Sequence, residues 1–308
     1  MKVLHVDTAT ELRGGQRQLA WLLAGRPGDA WAGVPDSPLA KLVGPPALPL
    51  RPGNDPRNAV ALRGVPYDLV AAHTSHAHDV ALLCGLPVVV HRRVDFAIRH
   101  AWKYRRVAGV VAVSEGVARV LRGAGIENVH VVHDGVPTPA DGPRLDLPGP
   151  LYGAVGALVP HKGHVHLVDA MREVPGTLVI AGEGPLRGEL ERRAGPNVRL
   201  LGHVDALGGL LRSLDAFVHP SVEEGMGQVI LEAMACGCRV VGSRVGGIPE
   251  AIGDTGLLVP PGDPGALALA MREVLTQPSG RGVVRAAEFS VERMVAGTTR
   301  AYERILAA

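Results

Sequence analysis

The chain has 308 residues, of which 46% are hydrophobic and 20% charged, and its formal net charge at pH 7 is +2. This length and composition predict a globular protein of two domains and exclude a disordered or fibrous chain. The small net charge argues against a nucleic-acid partner, although it is compatible with a local basic patch.

Cysteine usage and the first residues indicate the compartment. Three cysteines, Cys84, Cys236 and Cys238, are too few for a disulfide framework. The first residues lack the pattern of a secretory leader, and no later run approaches the length of a membrane span. We therefore expect a cytoplasmic protein.

Strands and helices alternate along the first half of the chain. The glycine pair Gly14-Gly15 follows the first apolar run and precedes a helical pattern, which makes a turn that suits a phosphate but is often only a turn. Apolar runs rich in β-branched residues predict buried parallel strands over 2–6, 68–72, 87–91, 110–113 and 129–132, with short strands near 33–34 and 47–50.

A histidine-rich segment, residues 73–79, follows the second of the long strands. Three histidines and Asp79 could suggest a metal site, but side chains at this spacing need not converge. We expect instead a polar loop at the carboxyl end of a parallel strand, followed by a helix over 79–84.

The segment from His91 to Arg122 is basic. It contains eight Arg or Lys residues against Asp95 and Glu115. Aromatic and aliphatic residues are mixed in, so the segment could bind an acceptor phosphate, lie on an anionic membrane surface, or be a solvated helix face with its aromatics packed inward. Ser114 is a predicted N-cap for a helix over 115–123.

Residues 137–150 are dense in Pro, Gly and Asp and are predicted to be a linker. We place one domain at 1–148 and a second at 149–289. In the second half, strands are predicted at 152–158, 177–182, 198–201 and 239–242, helices at 166–173 and 266–276, and a last helix from Ser290 to about Leu306.

The stretch from Ala216 to Arg239 concentrates the polar chemistry of the second half. An apolar run ends at Val218, a loop with Gly225 and Gly227 follows, and QVILEAMACG has a helical spacing. The two glycines allow a ligand to approach the backbone closely, and the first amides of the following helix have no partners within the helix. This arrangement favours an anionic ligand such as a phosphate.

Two glutamates, Glu224 on that loop and Glu232 on the helix, have seven residues between them. Both carboxylates could accept hydrogen bonds from hydroxyl groups of one extended ligand. Alternatively, Glu224 is a solvated acid at a helix start and Glu232 is an ordinary surface residue.

A family resemblance rests on these residues. The sequence PSVEEGMGQVILEAMACG, followed by VVGSRVGGIPEAI and TGLLVPPGDP, resembles the donor-binding half of the retaining glycosyltransferases of family 4. The resemblance implies the α/β fold named GT-B, in which two Rossmann-like parallel-sheet domains face a central cleft. It also implies that the last helix, about 290–308, packs back on the first domain.

The resemblance assigns the two glutamates and their loop. Glu224 would contact the donor sugar and Glu232 the ribose of the nucleotide, while the backbone of Gly225, Met226 and Gly227 would lie against the sugar and diphosphate.

Other assignments are carried over from the same family. Gly14 and Gly15 would lie near the donor phosphate and the acceptor, and His91 would reach the sugar or support the reaction. Glu183 and the backbone near His203 and Val204 would border the nucleotide base.

One departure concerns the cations that hold the diphosphate. The family usually places an arginine and a lysine on the turn after the first strand of the second domain. Here Lys162 is present but Ala157 occupies the arginine position. Loss of one charge-assisted contact could cost about 1.5–3 kcal/mol unless another cation replaces it. Arg92 or Arg93 of the basic segment, across the cleft, are the candidates.

The expected function is therefore transfer of a hexose-type sugar from a UDP- or GDP-type nucleotide-diphosphate sugar, with retention, to an unidentified glycan, lipid or small-molecule acceptor. Cell-envelope glycan synthesis and a peripheral position on the inner membrane face are compatible settings. No Asp-x-Asp motif is present, so we expect no metal and no cofactor. A nucleotide-sugar epimerase on the same fold and an inactive sugar-nucleotide-binding protein remain as alternatives.

Overall fold

The computed structural model describes residues 1–307. They divide into two compact units. The N-terminal unit comprises Met1–Gly135 and the last helix, which starts at Val291, and the C-terminal unit comprises Val136–Ser290.

Each unit contains one sheet in which all neighbouring strands are parallel. The N-terminal unit has seven strands in the order β3-β2-β1-β4-β5-β6-β7, and the C-terminal unit has six in the order β10-β9-β8-β11-β12-β13. The two parallel sheets predicted from the alternating pattern are thus confirmed. The strands are β1 Val3–Asp7, β2 Ala30–Gly33, β3 Leu48–Pro49, β4 Leu69–Ala72, β5 Val88–Arg92, β6 Gly109–Ala112, β7 Val129–Val131, β8 Leu151–Val155, β9 Thr177–Ala181, β10 Val198–Gly202, β11 Ala216–His219, β12 Arg239–Ser243 and β13 Leu257–Val259.

Helices connect successive strands, as parallel crossovers require. They are α1 Gly14–Gly25, α2 Pro38–Val43, α3 Pro56–Ala61, α4 Ser75–Ala81, α5 Ala101–Tyr104, α6 Glu115–Gly123, α7 His164–Ala170, α8 Arg187–Arg193, α9 Leu207–Ser213, α10 Gln228–Ala235, α11 Ile248–Ile252, α12 Pro264–Val274, α13 Gly282–Ala287 and α14 Val291–Ala307. The predicted N-cap is confirmed, because Ser114 Oγ accepts from the Val117 amide at 3.1 Å.

Helices cover both sheets, so the central strands are buried on both faces and read as continuous apolar runs. Every residue of β4, β6 and β9 is buried. The last helix packs in the N-terminal unit, where Ala301, Tyr302 and Ile305 join a core cluster with residues of the central strands.

The strand order places the loops that carry polar residues. In the N-terminal unit the order reverses between β1 and β4, and in the C-terminal unit between β8 and β11. Ligands of open parallel sheets bind at such reversals, beside the carboxyl ends of the strands. The loops after these four strands are therefore where a site is expected.

Two segments differ from the sequence prediction. The predicted loop over 73–79 is wrong from Ser75 onward, because Thr74 Oγ1 accepts from the Ala77 amide at 3.1 Å and starts α4 there. The predicted linker groups with the C-terminal unit, since Arg212 donates to the Pro139 carbonyl at 2.9 Å and Ser213 Oγ accepts from the Leu145 amide at 2.8 Å.

Candidate active site

Two loops of the C-terminal unit meet at the strand reversal. The turn Pro160–Lys162 follows β8, and residues 220–227 follow β11. The Val222 amide donates to the His161 carbonyl at 2.8 Å. Gly163 has φ +68°, and a Cβ at this position would lie 2.0 Å from the Pro220 carbonyl oxygen. The close approach of the two loops therefore requires glycine here.

This approach joins Lys162 to Glu224. The lysine Nζ donates to Glu224 Oε2 at 2.5 Å. His219 Nε2, at the end of β11, lies 2.9 Å from the same oxygen, and Ser221 Oγ lies 3.4 Å from it. The alternative in which Glu224 is a solvated surface acid does not fit this geometry, since 13% of its side chain is exposed.

Charge and hydrogen bonding keep Glu224 ionised. Burial alone would raise its pKa, but the hydrogen bond from His219 and the charge of Lys162 hold that pKa well below the usual range. A carboxylate only accepts, so the proton of His219 lies on Nε2. Burial in turn lowers the pKa of His219 and keeps the ring neutral.

The glycine loop leads directly into α10. Gly227 has φ +82° and precedes the helix, and Met226 is buried. The Gly225 amide donates to Glu224 Oε1 at 3.1 Å, so the loop backbone also orients the carboxylate. Glu232 lies on α10 and is 8% exposed, which differs from an ordinary surface helix residue.

The candidate residues for the nucleotide base lie at the ends of β9 and β10. Glu183 bonds Arg187 at 2.9 Å, and its Oε1 would lie 2.8 Å from a Cβ added at Gly202. His203 is exposed and pairs with Asp205 at 3.1 Å, and Val204 follows it in the same loop. The structure therefore brings Glu183 beside the start of the 203–204 loop.

Ala157 is exposed on the turn after β8, and its carbonyl accepts from the Val159 amide at 2.9 Å. Because Ala157 is exposed, a longer side chain can be accommodated at this position. The local backbone therefore does not require alanine at position 157, and the absence of the arginine changes the charge of this turn.

The N-terminal unit holds the other predicted residues. Gly14 and Gly15 are the first residues of α1, and an added Cβ at Gly15 would lie 3.7 Å from Arg93 Cδ. His91, near the end of β5, is buried, and its Nε2 lies 2.5 Å from the Tyr302 hydroxyl of α14. Gly15, His91 and Arg93 are thus neighbours, and Tyr302 could not be found from sequence spacing.

The two arginines after His91 have different surroundings. Arg92 donates to the Val94 and Phe96 carbonyls at 2.9 and 2.6 Å and to the Tyr104 hydroxyl at 3.0 Å, so its guanidinium organises its own segment. Arg93 turns to the carboxyl edge of the sheet, where its Nε lies 3.4 Å from Asp134 Oδ1.

The basic segment exposes part of its aromatic surface. Trp102 is 51% exposed with the Arg106 guanidinium 5.1 Å from its ring centroid, and Phe96 is also exposed. Contact with an anionic membrane surface stays a prediction. Within residues 1–307, no helix combines the length and apolar character needed to cross a bilayer.

Sequence reasoning missed His219 and Ser221, although a polar residue that ends an apolar strand is a recognisable signal. The histidines of residues 73–78 do not converge: His73 lies against His5 of β1, while His78 Nε2 lies 3.3 Å from the Lys103 carbonyl. Over the described part of the chain, no three His, Cys, Asp or Glu residues are grouped as metal ligands would be.

Comparison with known proteins identifies the family. Residues 7–139 match the family model described as "Glycosyltransferase Family 4", and residues 149–277 match "Glycosyl transferases group 1". The chain is 32% identical over 286 residues to the 2-deoxystreptamine glucosyltransferase of Streptomyces kanamyceticus, covering 80% of this chain and 73% of that protein. It is 33% identical over 235 residues to a glycogen synthase of Mycobacterium tuberculosis, covering 69% of this chain and 56% of that protein.

The fold has solved counterparts. Anabaena HepE, crystallised in complex with UDP and glucose, superposes with a TM-score of 0.82 at 20% identity and covers 99% of this chain and 100% of that chain. At this identity the likeness concerns the fold, and it confirms the predicted GT-B class with its two Rossmann-like parallel-sheet units. Together with the sequence relatives, it shows that the chain belongs to glycosyltransferase family 4 and is a glycosyltransferase.

Proposed function

We propose that the chain transfers a hexose-type sugar from a UDP- or GDP-type nucleotide-diphosphate sugar to an acceptor, with retention of anomeric configuration and without a metal. The observation that carries this proposal is the contact between Lys162 and Glu224 beside the Gly225–Gly227 loop. It places a cation, a carboxylate and a glycine backbone at the strand reversal of the C-terminal unit, which suits an anionic sugar-bearing ligand. The UDP complexes of the structural neighbour HepE support a nucleotide donor.

Each residue has a chemical task in this proposal. Lys162 neutralises the diphosphate as it leaves, and loop amides supplement that charge. Glu224 accepts hydrogen bonds from sugar hydroxyls, and Glu232 from the ribose. Glu183, His203 and Val204 border the base.

The reaction proceeds on one face of the sugar. The acceptor hydroxyl attacks the anomeric carbon as the bond to the diphosphate breaks on the same face, and a phosphate oxygen of the leaving group takes the hydroxyl proton. His91 supports the sugar side of this step, in part through Arg93, whose terminal nitrogen lies 3.5 Å from His91 Nδ1.

The acceptor is a glycan, a lipid or a small molecule. The relatives named for 2-deoxystreptamine and for glycogen suggest an aminocyclitol and a maltooligosaccharide as the first acceptors to test. A polyprenyl-phosphate sugar is a third acceptor to test, because it represents the lipid acceptors that cell-envelope synthesis would use.

The test measures release of free UDP or GDP from several nucleotide hexoses, with and without each acceptor. We expect release of the nucleotide to depend on the acceptor. NMR should show that the product keeps the anomeric configuration of the donor, and EDTA should not lower the activity. A donor converted to its epimer would indicate an epimerase. Donor binding with no turnover for any acceptor would indicate a binding protein, and an inverted product would contradict retention.

A further inference from the structure

A buried polar cluster of the N-terminal unit includes His91 and Arg93, which the reaction outlined above uses, and two further histidines that have no task in it. Its members are three histidines at the carboxyl ends of the central strands, one arginine beside them, and their partners. His5 lies on β1, His73 directly follows β4, and His91 lies on β5. All three are buried, and the His73 and His91 rings stack with centroids 4.4 Å apart. Buried hydrogen bonds between these rings require that each histidine carries its proton on one particular ring nitrogen.

The carboxylate of Asp29 determines which ring nitrogen of His5 carries the proton. Its carboxylate is buried and accepts from the Val3 amide at 3.1 Å and from both Nε and Nη2 of Arg26. Burial would raise its pKa, but hydrogen bonds from His5 and Arg26 lower it, so Asp29 is ionised. An ionised carboxylate only accepts. His5 Nε2, at 3.1 Å from Asp29, must therefore carry the proton.

The proton on His5 Nε2 determines the next ring. With that proton in place, neutral His5 has a lone pair at Nδ1, and this atom lies 2.9 Å from His73 Nε2. His73 therefore donates from Nε2 and presents its own lone pair at Nδ1. That lone pair lies 3.1 Å from Arg93 Nη1, which can only donate.

The chain of hydrogen bonds thus ends on the Arg93 guanidinium. Its Nε faces Asp134 Oδ1 at 3.4 Å, and its Nη2 faces His91 Nδ1 at 3.5 Å. Each terminal nitrogen carries two N–H groups. Among residues 1–307, each terminal nitrogen makes one of the contacts above, so one N–H on each is left for a ligand. The side chain is 12% exposed, so a ligand can reach it.

We propose that Arg93 binds a phosphate group of a substrate and that His73 and His5 are positioning residues, which hold the guanidinium in place through a proton arrangement anchored at Asp29. A guanidinium with one free N–H on each terminal nitrogen suits two oxygens of one phosphate. The inference rests on the proposed function for the source of the phosphate, which is either the donor diphosphate or a phosphate of the acceptor.

The arrangement makes Arg93 sensitive to acid. Burial first, and then the charges of His91, Arg93 and His5, lower the pKa of His73 well below its usual value. A proton added at Nδ1 would remove the acceptor for Arg93 and place two cations side by side. The other groups facing the cluster are Asp29, Arg26, Asp7, Asp134 and the neutral phenol of Tyr302.

The first experiment does not depend on activity. In the wild-type protein with 15N-labelled histidine and arginine, long-range imidazole correlations at pH 7 should show both His5 and His73 protonated at Nε2. Addition of inorganic pyrophosphate should shift the Nε–H signal of Arg93. A proton on Nδ1 of His73, or an Arg93 signal that does not respond to pyrophosphate or to any donor or acceptor phosphate, overturns the proposal.

The second experiment uses variants. His73→Leu removes the acceptor for Arg93, whereas His73→Asn can place a carbonyl oxygen at the position of Nδ1. His73→Asn should therefore recover part of the binding and turnover that His73→Leu loses. The expected loss is at least about tenfold, the lower end of what one hydrogen bond to a charged group contributes. His78→Leu is the matched control, since His78 is a buried histidine of the same unit that contacts the Lys103 carbonyl. It should leave binding and turnover unchanged.

The readouts separate the two phosphate sources. If Arg93 holds the donor, Arg93→Gln and His73→Leu weaken UDP binding. If it holds an acceptor phosphate, UDP affinity and donor hydrolysis stay at wild-type values and the acceptor KM rises. The rise relative to wild type becomes smaller at acid pH, where protonation of His73 weakens the Arg93 contact in the wild-type protein as well. Unchanged UDP affinity, hydrolysis and transfer in Arg93→Gln overturns the proposal. Wild-type protein that shows the Arg93 signal shift but transfers no sugar would instead contradict the proposed function.

Discussion

Glu224 is the residue on which the donor side of the proposal depends. Its carboxylate has one oxygen facing Lys162, His219 and Ser221 and the other facing its own loop amide. The side chain is therefore oriented and ionised before any ligand arrives. Such preorganisation is what a group that acts on a developing charge needs.

We expect Glu224→Gln to lower turnover at least about tenfold and to change UDP affinity less, because its proposed partner is the sugar and a hydrogen bond to a charged acceptor is lost. Steady-state kinetics and calorimetry with UDP measure the two effects. Glu223→Gln is the control, since this adjacent glutamate is exposed. An equal loss in UDP affinity and in turnover would assign Glu224 to the nucleotide instead.

The same residue should shape acid stability. The hydrogen bond from His219 and the charge of Lys162 hold the folded pKa of Glu224 below the ordinary value of 4.5. Its contribution to the free energy of unfolding is therefore present above about pH 4.5 and is lost as the pH falls through the folded pKa. Urea unfolding at a series of pH values should show a shallower acid decline for Glu224→Gln than for wild type. Parallel curves would indicate that the pKa of Glu224 is the same in the folded and the unfolded protein.

Glu232 provides a separate residue-scale prediction, because its proposed partner is the ribose. Glu232→Gln should weaken UDP binding by about 1.5–3 kcal/mol, the range for a hydrogen bond to a charged group. Calorimetric titration with UDP measures this change. Glu273→Gln, on the exposed face of α12, should bind as wild type does. Unchanged affinity in Glu232→Gln would remove the ribose assignment.

At the scale of elements, Gly163 connects the two loops of the candidate site. Gly163→Ala would place a methyl 2.0 Å from the Pro220 carbonyl oxygen at φ +68°. We expect a cost of more than about 1 kcal/mol from the left-handed backbone alone, with an added loss of turnover as Lys162 and Glu224 separate.

The measurement is thermal unfolding together with turnover. Gly188→Ala is the control, because this glycine lies within α8 with nothing within 4 Å of the added Cβ, and alanine should favour the helix by about 0.5–1 kcal/mol. Full activity and stability in Gly163→Ala would mean that the two loops can separate without consequence.

The element scale also shows what the sequence could predict. Parallel strands buried on both faces leave continuous apolar runs, so β1, β4, β5 and β6 were found within one or two residues. The start of α4 was missed because the Thr74 cap lies inside a run of histidines that resembled a polar loop. The glycine loop and Glu224 are predicted as site residues from local spacing and resemblance, and that assignment stays a prediction.

Contacts between distant residues escaped the sequence. Tyr302 meets His91 from 211 positions away, and Asp29 meets His5 only because β1 and β2 pair. Nothing in local spacing distinguishes these residues from ordinary core residues. The histidine tautomers that hold Arg93 therefore follow only from the folded structure, whereas the position of Arg93 after a buried strand follows from the sequence.

At the scale of the whole molecule, the arginine absent at position 157 leads to a prediction that involves one residue of each unit. Lys162 remains in the C-terminal unit as the cation of the predicted diphosphate turn, and Arg93 is held in the N-terminal unit. If both serve the donor diphosphate, an arginine at position 157 should recover part of the turnover that Arg93→Ala loses. Arg binds two phosphate oxygens at once, so imperfect placement can still restore part of the contact.

A double-mutant cycle over Ala157→Arg and Arg93→Ala measures this coupling. Because Ala157 is exposed, the longer side chain should not disturb the fold. Ala157→Gln gives the length without the charge and should rescue nothing. Arg92→Ala gives a second comparison, since Arg92 holds its own segment through Val94, Phe96 and Tyr104. A charge added at position 157 should not restore those contacts. Additive losses in the cycle would show that Arg93 serves a phosphate other than the donor's, and donor hydrolysis would then continue in Arg93→Ala while transfer to the acceptor falls.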